Sequence, residues 1–141
     1  LPEAITAVAD AKQRQLVQLA YEAALKAYAP YSRFQVGAAV RTTIGTYTGC
    51  NVENGSYGLT SCAERNAVFA AVRAEGGRIT IEAVGVYARS PGRRVKTASP
   101  CGACRQVLAE FGRMATVMFF EDGRFCTTTV DELLPAAFEL Y

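Results

Sequence analysis

The sequence has 141 residues, half of them hydrophobic, with five cysteines, no histidine and a formal net charge of +2. That length fits one domain over residues 1–141 and is too short for two. The charge offers no broad basic field for nucleic acid, and no apolar run approaches the ~20 residues of a membrane span. The opening LPEAITAVADAKQRQ lacks the charged start and apolar centre of a signal peptide. From Asp10 to Tyr28, Leu16, Leu19, Ala20, Ala23 and Ala27 recur at helical spacing, and Pro30 stops the helix. FQVGAAVRT reads as a strand, with Gly37 pointing to a close backbone approach. TIGT turns the chain and TYTGCNV returns as the second strand of a hairpin.

NGSYGL is loop, and CAERNAVFAAVRAEGG is a helix that Thr60 or Ser61 can cap and Gly76-Gly77 closes. ITIEAVGVYA is apolar enough for a central strand. The basic loop RSPGRRVKTASP, Arg89 to Lys96 at its most charged, leads to a second helix, CGACRQVLAEFG. ATVMFF is a strand, Glu121-Asp122-Gly123 a tight turn, RFCTTTV its return, and DELLPAAFEL a last helix broken or kinked at Pro135. Helices alternating with apolar strands predict an α/β fold, a three-layer α-β-α sandwich around a mixed five-stranded sheet. The Asp-Gly link is far too short for a parallel crossover, so the last two strands run antiparallel.

The chemistry lies in the cysteines. An odd number fits poorly with a secreted disulfide framework, so the expected home is the reducing cytoplasm. Without histidine, Ser-His-Asp and Cys-His catalysis fall away, and any zinc must be held by thiolates and carboxylates. Cys62, Cys101 and Cys104 fall at two strand-to-helix junctions. A helix N-terminus favours the thiolate, the form that ligates metal. Three protein ligands leave the fourth tetrahedral position open, the mark of a catalytic zinc. Taken alone, Cys-x-x-Cys also fits a redox pair, and a structural zinc would want a fourth ligand, for which Cys50 and Cys126 are candidates. Glu64, two residues beyond Cys62, points near such an ion without having to bind it and can carry protons. Zn²⁺ with three thiolates has net charge −1; Arg65 and Arg105 each follow a thiolate motif and can offset it.

Cys-Ala-Glu followed by Pro-Cys-x-x-Cys resembles the Cys₃ form of the zinc nucleoside and nucleobase deaminase signature. FQVGAAV, GCNVENGSYGLTSCAERNAVF, SPCGACRQVLAEF and ELLPAAF narrow the resemblance to the small homotetrameric cytidine deaminases, over roughly Tyr31 to Phe138. The loop SPGRRVKTA is more basic than that family leads one to expect. The resemblance implies one Zn²⁺ per chain on Cys62, Cys101 and Cys104. It also implies hydrolytic deamination of cytidine and 2′-deoxycytidine, with Glu64 as proton carrier between water, N3 and the leaving amino group. Arg65 would compensate thiolate charge. Phe34 would pack on the substrate, Asn51 and Glu53 would hold the ribose 3′-hydroxyl, and the Ala63 backbone would help read the base. Gly55 and Tyr57 match positions that contact a neighbour's site, and Phe138 an aromatic lent by a neighbour. The implied partners are a nucleoside and further copies of the chain, with no nucleic acid and no membrane. Alternatives are a blasticidin-type deaminase, an editor of cytosine or adenine in polynucleotides, and a non-enzymatic zinc module. An editor needs a basic channel, which one short basic loop does not make.

Overall fold

The computed structural model describes residues 1–140. Its elements in chain order are α1 (Glu3–Thr6), α2 (Ala11–Ala24), β1 (Gln35–Thr42), β2 (Thr46–Cys50), a 3₁₀ turn (Tyr57–Leu59), α3 (Ala63–Glu75), β3 (Ile81–Arg89), α4 (Gly102–Phe111), β4 (Thr116–Glu121), β5 (Arg124–Thr129) and α5 (Val130–Leu133). One sheet runs β2-β1-β3-β4-β5. Only β3 and β4 are parallel, joined through α4; the other neighbours are antiparallel. The sheet is therefore mixed, five-stranded and antiparallel at its last pair, as expected.

The layering follows from which side chains each face must bury. On one face Leu16, Val17 and Ala20 of α2 pack with Ile5 of α1 over Ala39, Ala83, Met118 and Phe120. On the other, Ala67, Val68 and Ala71 of α3 and Leu108 of α4 pack over Ala38, Val40, Val84, Val86 and Val117. Alternate residues of β3 feed opposite cores, so a strand with period-two geometry reads in sequence as one apolar run. Gly37 lets α2 lie directly on β1: a Cβ there would sit 1.8 Å from the Ala20 carbonyl oxygen. At the far edge Asp122 and Gly123 both take positive φ (49° and 77°), the two-residue hairpin geometry that Asp-Gly favours.

One element goes unread in the sequence and three local expectations change. The short helix α1 carries no readable period; it forms because Ile5 is fully buried beneath it. Helix α2 ends at Ala24 rather than Tyr28. Its continuation tightens into i→i+3 bonds at Lys26 and Ala27, and the Tyr28 N–H donates to the Asn51 carbonyl instead. Helix α3 is capped by neither Thr60 nor Ser61; Cys62 is its N-cap, with no side-chain capping bond. The last helix is a single turn, Val130–Leu133, capped by the Thr129 hydroxyl. Leu134 precedes Pro135 and takes an extended φ of −133°, because a following proline disfavours helix. Phe138 therefore lies in an irregular tail rather than on a helix.

Candidate active site

Helices α3 and α4 begin side by side, and each begins on a cysteine. Cys62 is the N-cap of α3, Cys101 the N-cap of α4, and Cys104 sits in the first turn of α4. The three sulfurs lie within 4.8 Å of one another, with Cys62 and Cys101 at 3.9 Å. A tetrahedral ion with sulfur bonds of about 2.3 Å sets its ligand sulfurs about 3.8 Å apart, so the cluster fits zinc. Neither Cys50 nor Cys126 belongs to it, and among the described residues no fourth protein ligand joins it. Cys104 is fully buried and Cys101 exposed, which gives the cluster a closed side and an open side.

The electrostatics favour a cation. The Cys62 thiol is pulled down to about 5, first by a hydrogen bond from Cys104 and then by Arg65, against the opposing effect of burial. Cys104 moves the other way, because it shares its proton with Cys62 and is buried. Ligation asks for three thiolates, and a divalent cation supplies the charge that allows them. Arg65 donates from Nη2 to the Cys62 sulfur at 3.3 Å, where charge compensation requires it. Its Nε is buried without a partner among the described residues. Arg105 is placed differently. Its guanidinium donates to the carbonyls of Pro100 (2.7 Å) and Leu133 (2.9 Å), so it braces the loop before Cys101 and the end of α5.

Glu64, in the first turn of α3, is 5% exposed. Burial pushes its carboxyl up to about 7; a backbone hydrogen bond opposes this and the neighbouring Cys62 charge adds to it. A carboxyl near neutrality can both take and give a proton. It lines a cavity of about 280 Å³ with Cys62, Ala63, Cys101, Phe34, Asn51 and Glu53. These residues come from the start of α3, the start of α4, the entry to β1 and the exit of β2. Val36, Ser32, Thr60 and the Thr97–Ser99 segment complete the wall.

The polar walls are themselves braced. Asn51 is 8% exposed; its amide donates to the Phe34 carbonyl and accepts from the Val36 N–H, each at 2.8 Å. Glu53 accepts from the N–H groups of Tyr31 and Ser32 and from the Ser32 hydroxyl. Burial works against its charge, but the Ser32 bonds win and hold its carboxyl below the ordinary range. Ser32 is a site residue that sequence reasoning missed. Its only signal was a hydroxyl two residues before the Phe34 ring, which is indistinguishable from a turn serine.

An outer chamber of about 240 Å³, walled by Tyr31, Tyr57, Ser32, Glu53 and Thr60, adjoins the first. Tyr31 and Tyr57 meet edge to face at 5.7 Å, and Gly55 lies against the Tyr31 hydroxyl. Phe138 is elsewhere: it lines a groove with Gln106, Ala109 and Phe111 of α4, not the thiol cavity of its own chain. The basic loop borders a separate cavity across Ala98, where Arg94 pairs with Asp122 at 3.0 Å and Arg89 with the Gln35 amide.

Comparison with known proteins converges on one family. The model of the cytidine and deoxycytidylate deaminase zinc-binding region matches residues 10–121. The chain is 46% identical over 127 residues to a cytidine deaminase of Sporosarcina psychrophila, covering 88% of this chain and 89% of that protein. It is 44% identical over 129 residues to one of Halalkalibacterium halodurans, covering 89% and 93%. The crystal structure of cytidine deaminase from Burkholderia pseudomallei superposes with a TM-score of 0.77 at 45% identity, over 88% of this chain and 97% of that one.

Proposed function

The chain belongs to the cytidine and deoxycytidylate deaminase family, and from that premise we propose that it hydrolyses cytidine and 2′-deoxycytidine to uridine, 2′-deoxyuridine and ammonia. The observation that carries the reading is the cavity in which Cys62 and Cys101, two of the three clustered thiols, and one buried carboxylate share a wall with Asn51 and Glu53. Cys62, Cys101 and Cys104 hold the Zn²⁺. When bound, zinc acts as a Lewis acid that lets water give up a proton near neutral pH.

The chain's own groups do the rest. Glu64 takes a proton from the attacking water and places it on N3 of the base; it then takes the second proton from the new hydroxyl on C4 and gives it to the amino group there. The C–N bond breaks, the nitrogen leaves as ammonia, and the oxygen of water stays on C4. Phe34 packs on the substrate. The Ala63 N–H, in the first turn of α3 where helix donors have no intrahelical partner, helps to read the base. Asn51 and Glu53, already stiffened by their bonds to the chain, hold the ribose hydroxyl with little freedom left to lose. Arg65 offsets the thiolate charge.

The working unit is a homo-oligomer, a tetramer by family resemblance, in a cytoplasmic single-domain chain. Two features support assembly. Tyr57 of the outer chamber, Leu59 and Tyr28 are large apolar side chains left exposed. Phe138, 72% exposed, does not line its own thiol cavity, which supports its being lent to another copy's site. Among the described residues no helix is long and apolar enough to cross a membrane.

The test is a substrate panel read by loss of cytosine absorbance. Cytidine and 2′-deoxycytidine should turn over, while free cytosine should be a very poor substrate. A polar wall left without its sugar hydroxyl costs ~1–3 kcal/mol per group. Comparable catalytic efficiency on cytosine would show that Asn51 and Glu53 do not read ribose. Efficient turnover only of blasticidin S or of polynucleotide would overturn the nucleoside assignment.

A further inference from the structure

Two of the arms that wall the cavity are separated by a short loop. One arm, Asn51 to Glu53, leaves the edge strand β2. The other, Cys62 to Glu64, opens α3. Between them runs an exposed loop, residues 54–59, with few internal bonds to fix the separation. The two ends of that loop are joined by a pair of backbone bonds: Val52 N–H to the Ser61 carbonyl and Ser61 N–H to the Val52 carbonyl, both 3.0 Å. A two-bond bridge at the surface is a weak hinge by itself.

Asn66, one turn further along α3, closes the structure across this bridge. Its Nδ2 donates to the Cys50 carbonyl at 2.7 Å, and its Oδ1 accepts from the Ser61 hydroxyl at 2.6 Å. Only the NH₂ end can face a carbonyl, so the direction of the amide is forced. One side chain therefore grips the residue before Asn51 and the residue before Cys62. The reach is short because Gly49 lets α3 rest on β2: a Cβ at Gly49 would come within 2.5 Å of the Ala67 nitrogen and 2.7 Å of the Ala63 carbonyl oxygen. Cys50 and Ser61 are thereby fixed to the same helix that carries Glu64. The Ser61 hydroxyl, which would otherwise compete to cap α3, is occupied, and Cys62 is left as the N-cap with its sulfur turned to the cluster.

We propose that Asn66 is a positioning residue that sets the distance between the ribose-holding arm and the metal-and-proton arm. This rests on the cytidine deaminase reading above. Asn66 is neither one of the clustered thiols nor part of the cavity lining; it acts through Cys50 and Ser61. Its loss lets the Asn51–Glu53 arm drift relative to Glu64, so the sugar and the reacting carbon can no longer be held at once.

The experiment is steady-state kinetics on cytidine for the parent, Asn66→Ala, Ser61→Ala and the double variant, with zinc content measured on each. The parent must turn over cytidine; a parent inert toward it removes the deaminase reading and this inference together. Given an active parent, Asn66→Ala should raise KM at least about fivefold, the scale of one lost buried hydrogen bond, while zinc stays at one per chain. Ser61→Ala removes one of the same bonds from the other side, should shift KM in the same direction, and carries the test if Asn66→Ala does not fold. The double variant should be no worse than Asn66→Ala alone within about twofold, because both act on one linkage. A merely stabilising role would reduce the amount of active enzyme and lower the rate at all concentrations, leaving KM alone. That result, or KM effects that multiply independently, would overturn the proposal.

Discussion

Glu64 is the only acidic side chain counted as buried among the described residues, and everything asked of it follows from that burial. The Cys-Ala-Glu spacing showed where it would be; it did not show that the carboxyl would be desolvated enough to hold a proton near neutrality. Glu64→Gln should keep the fold and the zinc and lose ~10²–10⁴ in turnover, since the amide is nearly isosteric but cannot shuttle a proton. Retention of more than about a tenth of the parent rate would remove it from the proton relay. Arg65 and Arg105 looked alike in sequence, each directly after a thiolate motif. Tertiary packing separates them: Arg65 turns to the Cys62 sulfur, while Arg105 turns to two backbone carbonyls. Arg65→Ala should therefore speed zinc loss to a chelator or slow turnover without unfolding the chain. Unchanged zinc retention together with an unchanged rate would place Arg65 outside the site chemistry. Asn51 and Glu53 were legible as a polar Asn-x-Glu after a strand; their bonds to Phe34, Val36 and Ser32 were not, because those partners are set by the fold.

At the scale of elements, long periodic segments were readable and short ones were not. The strands, α3 and α4 stand where hydrophobic patterning and Gly or Pro punctuation put them. The misread ends share one cause. Tyr28 leaves α2 because its N–H finds the Asn51 carbonyl, and α5 stops because Leu134 precedes a proline. In both cases a bond or clash settled what periodicity left open. Gly37, by contrast, was readable as a close approach, and the contact of α2 with β1 depends on it. Gly37→Ala drives a Cβ into the Ala20 carbonyl and should cost about 1–3 kcal/mol or more. The thermal midpoint should fall by several degrees while the surviving folded enzyme keeps its zinc. An unchanged midpoint would mean that α2 is free to move off the sheet.

For the whole molecule, one chain carries the thiols, the carboxylate and the polar wall, but leaves Tyr57 of the outer chamber, Leu59 and Tyr28 exposed. Phe138 precedes Glu139, which pairs with Arg113, and does not line the thiol cavity of its own chain. The proposed assembly would account for both. Phe138→Ala should weaken cytidine binding by ~1–3 kcal/mol, the range for a ring stacked on a base. Mixing inactive Glu64→Gln chains with Phe138→Ala chains should restore part of the activity, because some sites then pair an intact Glu64 with an intact Phe138. A monomer active at full rate would contradict that arrangement. The apolar helix faces were readable in the sequence, but not which of them another copy would cover, since a single chain's pattern does not distinguish core from interface. The proposed chemistry depends on zinc held by three thiolates of one chain. Removing the metal with a chelator and adding zinc back while cytidine turnover is followed tests this. Activity should be abolished on stripping, rise linearly with added zinc and level off at one ion per chain. Full turnover in metal-free protein, or saturation well away from one zinc per chain, would contradict it.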